Sequence, residues 1–141
     1  MILAKHSLEA TLSPESVWNR WTDVASWPEW DGTLERATID GPFRVGARLD
    51  LRKTGGATFR PVIIQWEDGS GFTLERILLG TRIVTIHGLE PCPMGVRITQ
   101  RVEARGWASW VVAWISGSRW RASLPGSLRG LARLAANDSQ K

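Results

Sequence analysis

The sequence contains no tyrosine, one cysteine and two histidines among its 141 residues. The single cysteine, Cys92, excludes an internal disulfide bond, which fits a reducing compartment such as the cytoplasm. Two distant histidines and one cysteine lack the spacing of a metal site, so we expect neither a metal ion nor a cofactor. No glycine-rich phosphate loop follows a predicted strand, and no serine has the sequence context of a nucleophile.

Long hydrophobic runs are also absent from the chain. No apolar segment approaches the roughly 20 residues that a membrane span requires. The first residues alternate and carry charges, so they are not expected to form a signal peptide. We therefore expect a single cytoplasmic domain over residues 1–141, long enough to bury a hydrophobic core.

Positive charge is concentrated towards the C-terminus. Residues 97–141 contain eight basic and two acidic side chains, the remainder is net negative, and the whole chain has a formal charge of +4. Such a region fits either a solvated helix face or contact with an anionic partner such as nucleic acid or a membrane surface. The solvated face is the favoured interpretation.

Nine tryptophans stand out among the residues that are present, and four of them lie between Ser13 and Asp31. Ser13 suits a helix N-cap, and Pro14 suits the first helical position. Apolar residues at helical spacing then predict one bulky face, formed by Val17, Trp18, Trp21 and Val24. Pro28 disfavours helical geometry at the preceding residue, so a second short helix is expected to carry Trp30. This pair of short helices is expected to close one end of a sheet.

Alternating apolar and polar residues fill most of the remaining chain. Seven antiparallel strands are predicted, over residues 2–12, 33–40, 47–52, 57–67, 72–79, 82–90 and 96–105. The segment after Gly106 is predicted to be helical, with a bend or break near Gly117 and Pro125. Only this long helix can cover the apolar side of the sheet. The predicted fold class is therefore α+β, a curved sheet around a C-terminal helix, with a gap that suits a small apolar ligand.

Several segments resemble the START-like, or SRPBCC, superfamily, specifically its bacterial polyketide cyclase/dehydrase-type proteins. The matching segments are Ser13–Trp18, Thr22-Asp23, Trp27–Asp31, Gly41–Gly46, and the strand from Gly95 followed by Leu124–Leu131. The resemblance covers nearly the whole chain and implies a helix-grip (START/Bet v 1-like) fold, in which a seven-stranded sheet grips the last helix around a hydrophobic cavity. It also implies binding of lipids, polyketides or other hydrophobic metabolites, with catalysis in some members only.

Three functions are compatible with this sequence. Binding of a hydrophobic small molecule is favoured over a cyclase, dehydratase or lyase activity, because no convergent acid–base pair is evident and tyrosine is absent. The third is an interaction module whose basic side chains contact an anionic surface, namely Arg119, Arg121, Arg129 and Arg133. This module is the weakest of the three, because the arginines are spread out, without aromatic residues interleaved on an exposed strand. Nucleic acid is disfavoured as a partner, and a homodimer is left open.

The candidate site consists first of polar residues on the apolar faces of strands, which are His6, His87 and Gln100. A buried polar group needs a partner, and histidine has a pKa that suits proton transfer near neutrality. Either a histidine orients or activates a ligand, or both histidines are core or rim residues with satisfied hydrogen bonds. The second interpretation is favoured.

Further candidates are expected along the wall of the cavity. An inward Arg76 would bind a ligand carboxylate or enolate, but an outward Arg76 is favoured because an isolated buried charge is costly. Trp110 and Trp114 lie four residues apart, share a helix face, and either line the cavity or pack in the core. The apolar wall is completed by Leu49, Phe59 and Ile98. The pattern does not decide which faces of the strands over 57–67 and 72–79 point inward.

Overall fold

The computed structural model describes residues 1–78 and 80–139, except for the side chains of residues 116 and 139. The strands of this part of the chain are β1 (Ile2–Ala10), β2 (Leu34–Asp40), β3 (Arg48–Lys53), β4 (Thr58–Phe59), β5 (Val62–Glu67), β6 (Gly71–Leu78), β7 (Thr81–Cys92) and β8 (Gly95–Arg105). The helices are α1 (Pro14–Thr22), α2 (Trp27–Trp30) and α3 (Ser109–Ser139), with a 3-10 turn over Val24–Ser26. Residue 79, the last of the strand predicted over 72–79, and residues 140 and 141 lie outside the described residues.

The strands form one antiparallel sheet in the order β1-β8-β7-β6-β5-β3-β2, and β4 pairs with β3 beside this path. The sheet curves around α3, which packs on its concave face, and α1 and α2 lie between the sheet and the C-terminal half of α3. The predicted helix-grip fold is confirmed.

The strand predicted over 57–67 is divided into β4 and β5 in the structure. The division falls at Arg60 and Pro61, because proline has no N–H to donate to a neighbouring strand. The Pro61 carbonyl still accepts a hydrogen bond from the Leu49 N–H at 2.9 Å. The sheet is therefore interrupted, but not broken, between β4 and β5.

A bulge decides which side chains of β5 point inward. The register shifts between Ile63 and Gln65, so that Ile63 is opposite Leu74 and Gln65 is opposite Thr73. Ile63 is fully buried in the core, whereas Gln65 is exposed. The simple alternation of the sequence placed both residues on one face, and the extra residue of the bulge separates them.

The tryptophans of α1 and α2 form the main core together with Phe72. The Phe72 ring centroid lies 5.4 Å from that of Trp21, 6.1 Å from that of Trp27 and 5.0 Å from that of Phe43. The buried members of the main core are Val17, Trp18, Trp21, Val24, Trp27, Trp30, Leu34, Ala37, Ala47, Leu49, Leu51, Ile63, Phe72, Leu74, Leu89, Val96, Ile98, Leu128, Leu131 and Ala135. The tryptophan-rich segment thus joins the sheet to the C-terminal half of α3.

Capping and an ion pair fix α1 within this arrangement. The Ser13 hydroxyl accepts a hydrogen bond from the Ser16 N–H at 3.2 Å, and Pro14 is the first helical residue. At the other end, Arg20 donates two hydrogen bonds to the Asp138 carboxylate, at 2.6 and 2.8 Å. These bonds are the main reason that the pKa of Arg20 is raised. They connect α1 to the last turn of α3.

A second core lies under the N-terminal half of α3. Its buried members are Leu3, Ala4, Ile83, Val102, Ala104, Val112 and Leu124, with Leu78, Ala113 and Trp120 packed against them. A bend or break is expected from the sequence near Gly117 and Pro125, and the structure contains no break there, since α3 is helical over 31 residues. Leu124 and Leu128, on either side of Pro125, are both buried, and this tertiary packing outweighs the local cost of the proline.

The backbones of α2 and α3 approach closely at Gly130. A Cβ atom at this position would lie 2.5 Å from the Trp30 carbonyl oxygen. Because that oxygen belongs to the backbone, a rotamer change cannot relieve the overlap. Gly126, one turn earlier in the same helix, would meet no atom within 4 Å.

We expect Gly130→Ala to destabilise the protein by about 1–3 kcal/mol, because the added methyl group forces α3 away from α2. The matched variant Gly126→Ala is expected to stabilise it by about 0.5–1 kcal/mol through higher helix propensity. Urea unfolding of both variants checks this difference. Similar effects of the two substitutions would mean that the close approach at Gly130 does not exist in solution.

Candidate functional site

Three of the predicted site residues lie in one row across the concave face of the sheet. The row crosses four neighbouring strands. Gln100 on β8 is directly opposite His6 on β1 and His87 on β7, and His87 is in turn opposite Phe72 on β6. Side chains directly opposite each other on antiparallel strands point to the same face, with Cβ atoms about 4.5–5.5 Å apart. The row thus brings together residues that are far apart in sequence.

His87 is the buried centre of this row. Its ring stacks on Phe72 with centroids 4.1 Å apart and planes 8° apart, and the Trp21 ring meets it edge-on at 5.4 Å. Burial lowers the pKa of His87 to about 3, and the nearby backbone of Phe72 and Thr85 acts in the opposite direction without making a hydrogen bond to Nδ1. At neutral pH the imidazole is therefore uncharged, which makes it a weak base.

Several buried polar atoms around His87 have no hydrogen-bond partner among the described residues. These atoms are His87 Nδ1, Gln100 Oε1 and Trp21 Nε1. The first two belong to neighbours in the row, and the third belongs to the ring that contacts His87. An unpaired buried polar atom costs about 1–3 kcal/mol, so three of them around one ring are a concentrated local cost.

Arg76 points inward, so the outward orientation favoured by the sequence is wrong. Its guanidinium lies 4.3 Å from the Phe59 ring centroid and 5.9 Å from that of Trp120 on α3. The sequence favours the outward orientation because burying an isolated charge costs free energy. Contact of the guanidinium with two aromatic rings offsets part of that cost. Burial lowers the pKa of Arg76.

Two clefts lie along β6. One, of about 370 Å³, separates β4 and β5 from the end of β6 and is lined by Phe59, Val62 and Arg76 among others. The other, of about 530 Å³, is lined by Val45, Trp66, Phe72 and His87 among others. Both open to solvent, and each adjoins a polar residue of the concave face. An enclosed cavity between the sheet and α3 stays a prediction.

Trp110 and Trp114 do not line the concave face. Their exposed fractions are 64% and 83%, whereas Val112 between them is fully buried. A spacing of four residues shows that two side chains share a helix face, but it does not show which face meets the sheet. The helix tryptophan that does face the sheet is Trp120, which the sequence argument did not select. It lies eight residues after Val112 and four before Leu124, both of which are buried in the second core. This helical spacing places Trp120 on the same face of α3 as those two residues and would have identified it from the sequence.

The other predicted wall residues divide between the core and the first cleft. Leu49 and Ile98 are fully buried in the main core, and Phe59 lines the cleft. Lys53, which the sequence argument missed, is half-buried with its ammonium 5.5 Å from the Phe59 ring centroid. No group of three metal-ligating side chains occurs within the part of the chain that the structure describes.

Nearly the whole chain matches one family of proteins. Residues 1–136 match the family model described as polyketide cyclase / dehydrase and lipid transport. The chain belongs to this family. No protein of curated description is significantly similar to it in sequence.

Several solved structures share the fold of this chain at low sequence identity. Protein MLL2253 from Mesorhizobium loti is 17% identical, with a TM-score of 0.74 over 95% of this chain and 96% of that one. The di-domain aromatase/cyclase StfQ from the steffimycin pathway is 14% identical, with a TM-score of 0.74 over 97% of this chain and 51% of StfQ. Norcoclaurine synthase from Thalictrum flavum, in complex with dopamine and hydroxybenzaldehyde, is 16% identical, with a TM-score of 0.73 over 94% and 85% of the two chains.

The low pKa of His87 makes the stability of this family member depend on pH. The unfolded chain takes up a proton at His87 near pH 6.5, whereas the folded protein does so only near pH 3. The stability contributed by neutral His87 is therefore complete above pH 6.5 and is lost as the pH falls towards 3. Between pH 7 and pH 5 the loss amounts to about 2 kcal/mol, at about 1.4 kcal/mol per pH unit.

We expect His87→Phe, which keeps a stacked ring but cannot be protonated, to lose about 2 kcal/mol less stability than the wild type between pH 7 and pH 5. Urea unfolding of both proteins at the two pH values measures this difference, and comparing the two cancels the carboxylates that titrate in the same range. Equal losses would show that His87 is not buried as a neutral ring.

Proposed function

We propose that the protein binds a hydrophobic small molecule on the concave face of the sheet, where Gln100 and His87 contact its polar group. The observation that carries this proposal is the cluster of unpartnered polar atoms, Gln100 Oε1, His87 Nδ1 and Trp21 Nε1, within an otherwise apolar wall. Small-molecule sites typically combine an apolar lining with a few polar groups that orient the ligand. Membership of a polyketide cyclase and lipid transport family supports a ligand of this class.

Binding without turnover is favoured over a cyclase or dehydratase reaction. A general base works best with a pKa near the operating pH, and His87 with a pKa of about 3 is far from it. Arg76 is a cation that stabilises negative charge but does not remove protons. His6 is the remaining candidate base, at the outer end of the row. Turnover of a polyketide-like substrate by the purified protein, abolished by His6→Ala, would contradict this preference.

A matched pair of probes tests whether Gln100 orients the ligand. We expect the wild type to bind 2-naphthol about tenfold more tightly than 2-methylnaphthalene, because only the hydroxyl donates a hydrogen bond to Gln100 Oε1. Gln100→Leu is expected to remove this preference without lowering the free energy of unfolding, since it also removes an unpaired buried acceptor. Fluorescence titration measures both affinities. The norcoclaurine synthase complex with two aromatic compounds supports an aromatic first probe.

Thr99→Val is the control for this experiment. Thr99 neighbours Gln100 in β8, but its hydroxyl lies within 3.2 Å of the Ser7 hydroxyl on the opposite face of the sheet. The preference for 2-naphthol is expected to survive in this variant. If Gln100→Leu keeps the preference, or if neither probe binds the wild type, the proposed role of the row is wrong.

A second candidate function is docking to an anionic membrane surface. The observation that favours it is a patch of exposed apolar side chains at the start of α3, in which the exposed fractions of Trp107, Trp110, Trp114 and Ile115 are 83, 64, 83 and 54%. Tryptophan favours the interface between lipid and water, and arginine favours anionic headgroups. Residues 106–137 include four arginines and no acidic residue. No helix in the described part of the chain is long and apolar enough to span a membrane.

We expect the protein to bind vesicles containing phosphatidylserine, with an affinity that falls as salt is added, and to bind phosphatidylcholine vesicles weakly. The double variant Trp110→Ser/Trp114→Ser is expected to lose about tenfold or more of this affinity, because two large apolar surfaces no longer enter the interface. Co-sedimentation measures binding. The control is Trp66→Ser, which removes a 41% exposed tryptophan from β5.

Two results would contradict membrane docking. The first is an absence of binding to phosphatidylserine vesicles at low salt. The second is a concentration-dependent dimer of the wild type in analytical ultracentrifugation that is lost in the double variant, while neither protein binds vesicles. The patch would then be a contact between two copies of the chain.

A further inference from the structure

Three basic side chains from three elements of the fold lie close enough to affect one another electrostatically; Lys53 and Arg76 are partly buried, and Arg119 is exposed. Arg76 on β6 lies over both Phe59 and Trp120, and Lys53 on β3 lies over Phe59. The charge of Arg119 on α3 acts on Lys53, as does that of Arg76. We call Lys53, Arg76 and Arg119 the basic triad.

The basic triad has no acidic partner within the described residues. Ion pairs hold seven arginines of the surrounding sheet and of α1, namely Arg20, Arg52, Arg60, Arg82, Arg97, Arg101 and Arg105. Arg36 and Arg48 on the sheet have no such pair among the described residues, but both are exposed to water, unlike Lys53 and Arg76. None of the described carboxylates lies within 4.0 Å of a nitrogen of the triad. The acidic residue that acts on Lys53 is Asp31, and one of its oxygens already accepts hydrogen bonds from Thr33.

Partial burial of Lys53 and Arg76 makes this arrangement costly for the protein alone. Burial is the main cause that lowers the pKa of Lys53, and the like charges of Arg76 and Arg119 lower it further, against an opposite effect of Asp31. Charged groups removed from water are normally paired. Two aromatic rings compensate Arg76 in part, but they supply no hydrogen-bond acceptor for its guanidinium.

We propose that the basic triad binds the carboxylate or phosphate group of an anionic amphiphile whose apolar part lies on the concave face. This inference rests on the proposed ligand-binding function and names the class of ligand. Arg76 offers a planar fork of N–H donors that matches a carboxylate or phosphate, and Lys53 adds a second charge. The Phe59 and Trp120 rings form apolar walls next to these donors.

The register of the sheet gives the length of such a ligand. Arg76 is opposite Ile83 on β7, four residues from His87 in the row that holds Gln100. At about 3.3 Å per residue, the anion site and the polar atoms of the row are about 13 Å apart along the strand. Thr85 and Ile83 lie along this path on the concave side of β7, and Ile83 is packed in the second core, so the ligand has to displace part of its contact with α3. The ligand expected from this geometry is an elongated apolar molecule with an anion at one end.

Three twelve-carbon probes that differ only in the headgroup test this inference. We expect the wild type to bind dodecanoate and dodecyl phosphate at least about tenfold more tightly than 1-dodecanol, measured by calorimetry below the micellar concentration. Arg76→Met, which keeps an apolar stem between Phe59 and Trp120, is expected to reduce the affinity for both anions to that for dodecanol and to leave dodecanol unaffected. Lys53→Met is expected to act in the same direction with a smaller effect.

Arg60→Met is the matched control, since Arg60 lines the same cleft but is paired with Asp50 at 3.6 Å. We expect it to leave all three affinities unchanged. Equal loss of anion affinity in Arg60→Met and Arg76→Met would mean that net charge, not the triad, holds the anion. Acetate or inorganic phosphate that binds as tightly as the amphiphiles would overturn the assignment of an amphiphile.

The outcomes also separate this inference from the function on which it rests. Dodecanol that binds as tightly as the two anions would refute the anion site and leave the hydrophobic ligand site standing. Failure of all three probes, together with failure of 2-naphthol, would refute the ligand site and with it the role of the triad.

Discussion

Stacking of aromatic rings around Phe72 is the interaction on which the rest of this structure depends. The Phe72 ring contacts rings from α1, α2, the segment before β3 and β7, so one side chain joins four parts of the chain. Large aromatic side chains bury more apolar area than any others and prefer the edge and stacked arrangements seen here. His87 belongs both to this cluster and to the row formed by His6, Gln100 and His87. The packing of the core therefore fixes where that row lies.

Local signals explain why much of the fold could be predicted. The start of α1 follows from Ser13 and Pro14, and the strand pairs follow from alternation interrupted by turn residues. These features depend on neighbours in sequence, which is why they can be read without coordinates. The juxtaposition of His6, Gln100 and His87 on one face also follows from alternation, once the pairing of β1, β7 and β8 is known.

The features that could not be predicted depend on contacts between distant segments. The bulge in β5 reverses the face of every following residue in that strand, and nothing in the local pattern marks its position. Trp110 and Trp114 were assigned to the wrong face because helical spacing leaves the rotation of the helix undetermined. The inward direction of Arg76 depends on Phe59 and Trp120, which are distant in sequence and whose rings make the burial of a cation tolerable.

Pro125 has a mechanical consequence for the helix that covers the concave face. Because proline lacks an N–H, the carbonyl one turn earlier, at Arg121, has no helical donor, and the helix resists bending least at this point. The C-terminal half is clamped by the contact of Gly130 with Trp30 and by the Arg20–Asp138 bonds, whereas the N-terminal half is held by the smaller second core. The helix is therefore held by more contacts at its C-terminal half than at its N-terminal half. The free energy needed to tilt the N-terminal half of α3 relative to the sheet therefore depends on the second core and on the stiffness of the helix at Pro125.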